Sequence, residues 1–300
     1  MAAKPATVAE PVTIIIERDI AAPRALVFEA WTDPKHLVHW YSAGDGWTTP
    51  FADVDLRVGG EFRVGFSGPD GKHDFVFWGR YDEITPPSRL AATMGDGRPM
   101  TVTLTEIGKN RTHLRLEFGA EGTNSIEQQR HGWTAMVVNL AEYLANPPKP
   151  LPELRFERVF DAPRAAVFQA WVDADQLRQW WGPEMFSIAR ASLERRVGGP
   201  LFIEMKGPDG TLYPMKGRVV DYVENERLVH TNQIMELSPG VFEIEAVTTL
   251  VFTDAGTAKT RLTVLERVTK STEKAAFALS GMEEGFRQML GKLDRFLANR

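Results

Sequence analysis

The chain has no cysteine among its 300 residues. That excludes disulfides, thiolate nucleophiles and cysteine-ligated metal, and fits a reducing compartment, so a cytoplasmic location is expected. Basic charge is also short: 35 Lys and Arg against 40 Asp and Glu give a net charge of -5. No concentrated basic patch is available for nucleic acid or an anionic membrane, which leaves small molecules or proteins as partners. No apolar run reaches the roughly eighteen residues a membrane span needs, and the opening "MAAKPATVAEP" lacks the layout of a signal peptide. No glycine-rich loop leads from a strand into a helix, and "GFSG" at Gly65 lacks the outer spacing of a nucleophile elbow. Phosphate binding and a serine-hydrolase triad are thereby disfavoured.

What is present is repetition. "APRALVFEAWTDPKHLVHWY" (Ala22 to Tyr41) returns as "APRAAVFQAWVDADQLRQWW" (Ala162 to Trp181), with eleven of twenty positions identical. "LRVGG" at Leu56 returns as "RRVGG" at Arg195, and "GPDG" at Gly68 returns at Gly207. A gapless match of that length marks a duplicated unit. "ANPPKPLPEL" (Ala145 to Leu154) carries four prolines and reads as a stiff spacer. The expected organisation is a first domain over 11–147, a linker over 148–153 and a second domain over 154–300.

Within one unit, Val12 to Ile20 and Leu154 to Phe160 are β-rich and predict first strands. Pro23 and Pro163 suit the first turn of a following helix, and Asp33 suits the N-cap of a second. "RVGG" predicts a strand with a Gly-Gly bulge or bend, "GPDG" a hairpin turn, and further antiparallel strands follow. The apolar stripes Trp133, Met136, Val137, Leu140 and Phe286, Met289, Leu290, Leu293 predict long closing helices. These parts make an α+β unit in which a curved antiparallel sheet wraps the last helix, with two short helices after the first strand and a cavity between sheet and long helix.

Trp31 and Trp171 fall in core phase. Trp40, Tyr41, Trp180 and Trp181 are candidates to line a cavity mouth, and of the adjacent Trp180 and Trp181 one is expected inward with Leu177 and the other at the rim. Trp78, Trp133, Tyr213 and Phe286 are further candidate ligand contacts. His131, beside Trp133, is a weak candidate general base, and Glu284 holds the matching place in the second half. Arg63, Trp78, Arg80, Glu204, Lys216 and Arg218 lie on strands whose inward parity the sequence leaves open. His36 and His39 are spaced to share a metal, with Asp53, Asp55, His73 or Asp74 as third ligands. Their counterparts Gln176 and Gln179 argue against it, so neither metal nor cofactor is expected. The same asymmetry predicts pH-dependent binding in the first half alone.

The order "APRxxVFxAWxDxxxLxxWW", "RVGG", "GPDG", a Gly-Arg strand and a final "GW" or "GF" helix resembles the Aha1-like (activator of Hsp90 ATPase homologue, C-terminal type) domains. These belong to the START-like or Bet v 1-like (SRPBCC) superfamily. The resemblance covers nearly the whole chain, twice, and implies two tandem helix-grip domains. It also implies hydrophobic ligands held between sheet and long helix, as in most members, with chemistry in some. The Asn-Trp-His-Trp type motif of the Hsp90-stimulating domain of eukaryotic Aha1 is not in this sequence. The expected function is therefore a binder of small hydrophobic or aromatic ligands. The alternatives are a chaperone- or ATPase-modulating interaction protein, and an enzyme using acid/base chemistry on an aromatic or polyketide-like substrate.

Overall fold

The structure, a computed structural model, describes residues 12–42, 44, 46–68, 73–148, 151–238 and 240–299. The chain divides into two compact units, residues 1–69 with 76–148, and 70–75 with 149–300.

The first unit runs β1 (Thr13–Ile20), α1 (Arg24–Thr32), α2 (Pro34–Trp40), β2 (Ala52–Val54), β3 (Glu61–Phe66), β4 (Phe75–Thr85), β5 (Arg89–Met94), β6 (Pro99–Gly108), β7 (Arg111–Gly119) and α3 (Ile126–Ala145). Its antiparallel sheet has the order β1-β7-β6-β5-β4-β3-β2, so the first strand pairs with the last. The second unit repeats the plan with β8 (Glu153–Phe160), α4 (Arg164–Val172), α5 (Ala174–Trp180), β9 (Ser187–Leu193), β10 (Pro200–Lys206), β11 (Leu212–Val223), β12 (Arg227–Ser238), β13 (Val241–Asp254), β14 (Thr260–Ser271) and α6 (Ala276–Ala298). Its order is β8-β14-β13-β12-β11-β10-β9. The apolar stripe of each closing helix belongs to the core of its own unit: Met136, Val137 and Leu140 share a buried cluster with Leu114 and Leu116, and Met289, Leu290 and Leu293 share one with Leu262 and Val264. This is the helix grip.

Local chemistry explains the repeated motifs. Asp33 and Asp173 cap α2 and α5, accepting from Lys35 N and from Asp175 N and Gln176 N. Pro23 and Pro163 stand one residue ahead of their helices, in extended conformation, rather than inside the first turn. "RVGG" is a turn ahead of β3 and β10 rather than a bulged strand. Gly59 and Gly198 take φ of +79° and +76°, and a Cβ on Gly60 would lie 2.1 Å from the Asp55 carbonyl oxygen. Both residues of the pair are therefore required to be glycine. The "GPDG" turn at Gly207 to Gly210 closes with Gly210 N donating to Gly207 O at 3.0 Å. Its first copy, from residue 69 on, lies outside the described residues.

Ser125 starts α3 with a capping box: its hydroxyl accepts from Gln128 N, and the Gln128 side chain accepts from Ser125 N. Ser125→Ala is expected to cost about 1 kcal/mol. Thermal unfolding by circular dichroism checks it, and an unchanged melting temperature would show that the box contributes nothing.

Candidate functional site

The aromatic pairs are core, not a rim. Trp40, Tyr41, Trp180 and Trp181 are 1, 3, 0 and 8% exposed, which corrects the expectation that one of Trp180 and Trp181 stands at a rim. The reason is helix length. α2 and α5 are only seven residues long and end on Trp40 and Trp180. Tyr41 and Trp181 have already left helical geometry, with φ/ψ of -78°/61° and -60°/148°, so the angular separation of helical neighbours does not apply. Trp171, Trp180 and Trp181 pack as a triad with centroids 4.8 to 5.5 Å apart. Two of the buried indoles are satisfied, Trp40 Nε1 donating to Ala30 O at 2.9 Å and Trp180 Nε1 to Ala170 O at 3.0 Å, whereas the buried Nε1 of Trp171 has no hydrogen-bond partner.

The strand candidates share one parity. Phe62, Val64, Tyr81, Ile203, Met215 and Val219 are among the buried apolar residues of their strands. Arg63, Trp78, Arg80, Glu204, Lys216 and Arg218 alternate with them and take the outward face. Trp78 is 40% exposed and covers Gly95; Arg80 pairs with Glu61 at 2.9 Å and Glu204 with Arg190 at 2.8 Å. Tyr213 is also partly exposed and meets Phe186 edge-on at 5.7 Å.

His131 is exposed, the solvent-facing position that made it only a weak candidate for a base. It lines an open groove of about 1190 Å³ on the outer side of α3 with His39, Asn139, Glu142 and Tyr143. There the His39 ring stacks on Tyr143, and His36 Nδ1 lies 2.6 Å from the Tyr143 hydroxyl. The ligand atoms of Glu29, Asp33 and His36 come within 4.8 Å of one another. His39, Asp53, Asp55, His73 and Asp74 do not join that group. The matching groove of the second unit, about 400 Å³, is lined by Gln179, Lys292 and Phe296, and Lys292 Nζ donates to the carbonyls of Trp181 and Phe186 at 3.2 and 3.3 Å.

The interiors differ more sharply. In the first unit Trp133 fills the space between α3 and the sheet, 4.7 Å from Phe118 and 5.5 Å from Phe77 between ring centroids. The void beside Tyr41, Phe62 and Met100 is only about 20 Å³, room for about one water. In the second unit Phe286, the counterpart of Trp133, stacks on Phe156 at 5.4 Å. Four polar side chains there share the inward face of the sheet with Leu228, Leu250, Leu262 and Val264: His230 of β12, Asn232 two residues on, Thr248 of β13 and Glu266 of β14. They are 1 to 3% exposed. His230 is registered opposite Thr248, and Thr248 opposite Glu266. The row lies between the main apolar core and a smaller cluster of Ile244, Val268, Ala275, Leu279 and Met282.

The row is hydrogen-bonded end to end. His230 Nδ1 lies 2.8 Å from Asn232 Oδ1. Asn232 Nδ2 donates to Thr248 Oγ1 at 2.6 Å and to Glu266 Oε1 at 3.4 Å, and the Thr248 hydroxyl donates to Glu266 Oε2. Burial raises the Glu266 carboxyl from 4.5 to about 7, against the lowering effect of Thr248 and Asn232. Burial also lowers the His230 imidazole from 6.5 to about 4. Sequence reading passed over all four residues. The signal was available: "SRLAATM" at Ser88 aligns with "ERLVHTN" at Glu226, so His230 and Asn232 replace Ala92 and Met94, and the strand registers of the two sheets make Thr248 and Glu266 the counterparts of Met100 and Phe118.

The fold and the repeat can now be set beside known proteins. The model of the family described as Activator of Hsp90 ATPase homolog 1-like protein matches residues 21–145 and 161–298. The chain belongs to that family. The chain is similar to the AHSA1-like protein from Aeromonas hydrophila, 33% identical over 45% of this chain and 92% of that one, with a TM-score of 0.42. Across nearly the full length, the chain is similar to the di-domain ARO/CYC StfQ from the steffimycin biosynthetic pathway: 15% identity, 96% of this chain and 99% of that one, TM-score 0.64. The di-domain ARO/CYC BexL from the BE-7585A pathway covers the same shares at 12% identity and a TM-score of 0.56. At such identities the likeness is one of fold. No curated protein matches the chain. Among the described residues, no helix of this family member is long and apolar enough to cross a membrane.

Proposed function

We propose that the chain binds a small hydrophobic or aromatic molecule between the sheet and α6 of its second unit, while the first unit is a filled, structural copy. The observation that carries this reading is the internal control the duplication supplies. The first unit closes the same fold over Ala92, Met94, Met100 and Phe118, all buried. The fold therefore does not need a histidine, an asparagine, a threonine and a glutamate there. Burying a carboxyl and an imidazole costs stability that apolar residues of the same fold avoid. Polar groups kept in that position against their cost are the mark of a binding or reacting site. The two full-length neighbours of this fold are named as di-domain ARO/CYC proteins of biosynthetic pathways, in keeping with a small-molecule ligand.

Native mass spectrometry of the full chain purified from the cells that make it tests the reading. A retained small molecule, lost in His230→Leu, is the expected result. A bare chain accompanied by a chaperone would count against it and favour an interaction protein.

A further inference from the structure

Four polar side chains gather around α2 in the first unit. Glu29 lies on α1, Asp33 between α1 and α2, His36 on α2 and Tyr143 near the end of α3. One ligand atom each from Glu29, Asp33 and His36 lies within 4.8 Å of the others. His36 Nε2 stands 3.6 Å from Glu29 Oε1. That is too long for a hydrogen bond, whereas two ligands each about 2 Å from a common ion stand about 3.3 Å apart in a tetrahedron. Asp33 accepts from the Lys35 amide through Oδ1 at 2.8 Å, which leaves Oδ2 to an ion. Among the described residues, no lysine or arginine pairs with either carboxylate.

The second unit supplies the comparison. Gln169, Gln176 and Phe296 stand there in place of Glu29, His36 and Tyr143, so a carboxylate, an imidazole and the hydroxyl beside it are exchanged together. Asp173 keeps its capping role and meets the guanidinium of Arg195, Nη2 to Oδ2 at 3.4 Å, whereas the first unit has Leu56 at the position of Arg195. Capping therefore accounts for the aspartate alone. The glutamines that argue against a metal common to both halves confine it to the first. We infer that Glu29, Asp33 and His36 bind a divalent ion of the zinc class, with water completing a four-coordinate site. A neutral imidazole bound through Nε2 carries its proton on Nδ1, and the Tyr143 oxygen at 2.6 Å accepts it, the outer contact that orients histidine ligands. The His39 ring stacks on the same phenol, 5.6 Å between centroids. Glu29 is exposed and His36 partly so, which gives the ion a path from solvent. The site lies in the other unit from the proposed ligand, and neither needs the other.

Isothermal titration of the full chain, first stripped with a chelator, with Zn²⁺ at pH 7 tests the assignment. One equivalent is expected to bind the unaltered chain. His36→Gln and Glu29→Gln, which copy the residues of the second unit, should each remove that equivalent while the chain still unfolds cooperatively on heating. Tyr143→Phe, again the residue of the second unit, should keep the stoichiometry and lower the affinity about tenfold. Its melting temperature in chelator should match that of the unaltered chain, which separates an orienting hydroxyl from one that only supports the fold. No saturable binding to the unaltered chain, or an equivalent that survives in both His36→Gln and Glu29→Gln, overturns the metal site and leaves the ligand of the second unit standing.

Discussion

Replacing Trp180 with alanine is expected to destabilise the second unit by about 3 to 5 kcal/mol, the range for deleting a large aromatic from a packed core. Trp180 is fully buried, packs against Trp171 and Trp181, and supplies the indole N–H that Ala170 O accepts at 3.0 Å. Its removal opens a cavity and strands a carbonyl together, and α5 has no second large side chain to fill the gap. Trp181→Ala should cost nearly as much, because its ring closes the same triad. Urea unfolding of the full chain reads both. A loss under about 1 kcal/mol for Trp181, with Trp180 severe, would restore the rim position that the structure denies it.

A second large effect concerns acid. Glu266 holds its proton up to about pH 7 in the fold, whereas an unfolded glutamate releases it near 4.5. The folded state therefore binds more protons between those values, and this contribution to stability is lost as pH rises through the window. His230 has the opposite sign. Its folded value of about 4 lies below the ordinary 6.5, so the unfolded chain takes up the proton first and stability is lost as pH falls from 6.5 toward 4. Between about 4.5 and 6.5 the two slopes oppose, and the unaltered second unit should change little. Glu266→Gln exposes the histidine: stability should rise by roughly 3 kcal/mol from pH 4 to 6.5. His230→Leu exposes the glutamate: stability should fall by roughly 3 kcal/mol from pH 4.5 to 7. Urea midpoints over a pH series decide it, and parallel profiles for the two variants would show that neither group titrates as its burial dictates. Sequence reading had assigned pH sensitivity to the first half through His36, His39, His73 and His131. His36, His39 and His131 sit in or beside the outer groove and His73 on the surface, whereas the buried titratable pair lies in the second half.

The duplication and the helix-grip fold were legible in the sequence because they rest on local rules. "RVGG" repeats because a positive φ and a missing Cβ are needed at the same turn twice. The stripes of α3 and α6 repeat because a helix of that length must bury one face. Tryptophan burial was half legible: Trp31 and Trp171 followed helical phase, but Tyr41 and Trp181 did not, since nothing local announces that a helix stops at seven residues. The row of His230, Asn232, Thr248 and Glu266 was invisible for a different reason. Its members are separated by up to 36 positions and meet only through the register of three strands. Alternation gives each strand two faces, but which face is the interior is set by the sheet's curvature and the helix laid on it. Sequence alone determined that there are two units of one fold. Only the tertiary structure decided that one interior is filled by Trp133 and Phe118 and the other carries a buried carboxyl, because burial, and with it every altered proton affinity, is a property of the packed whole.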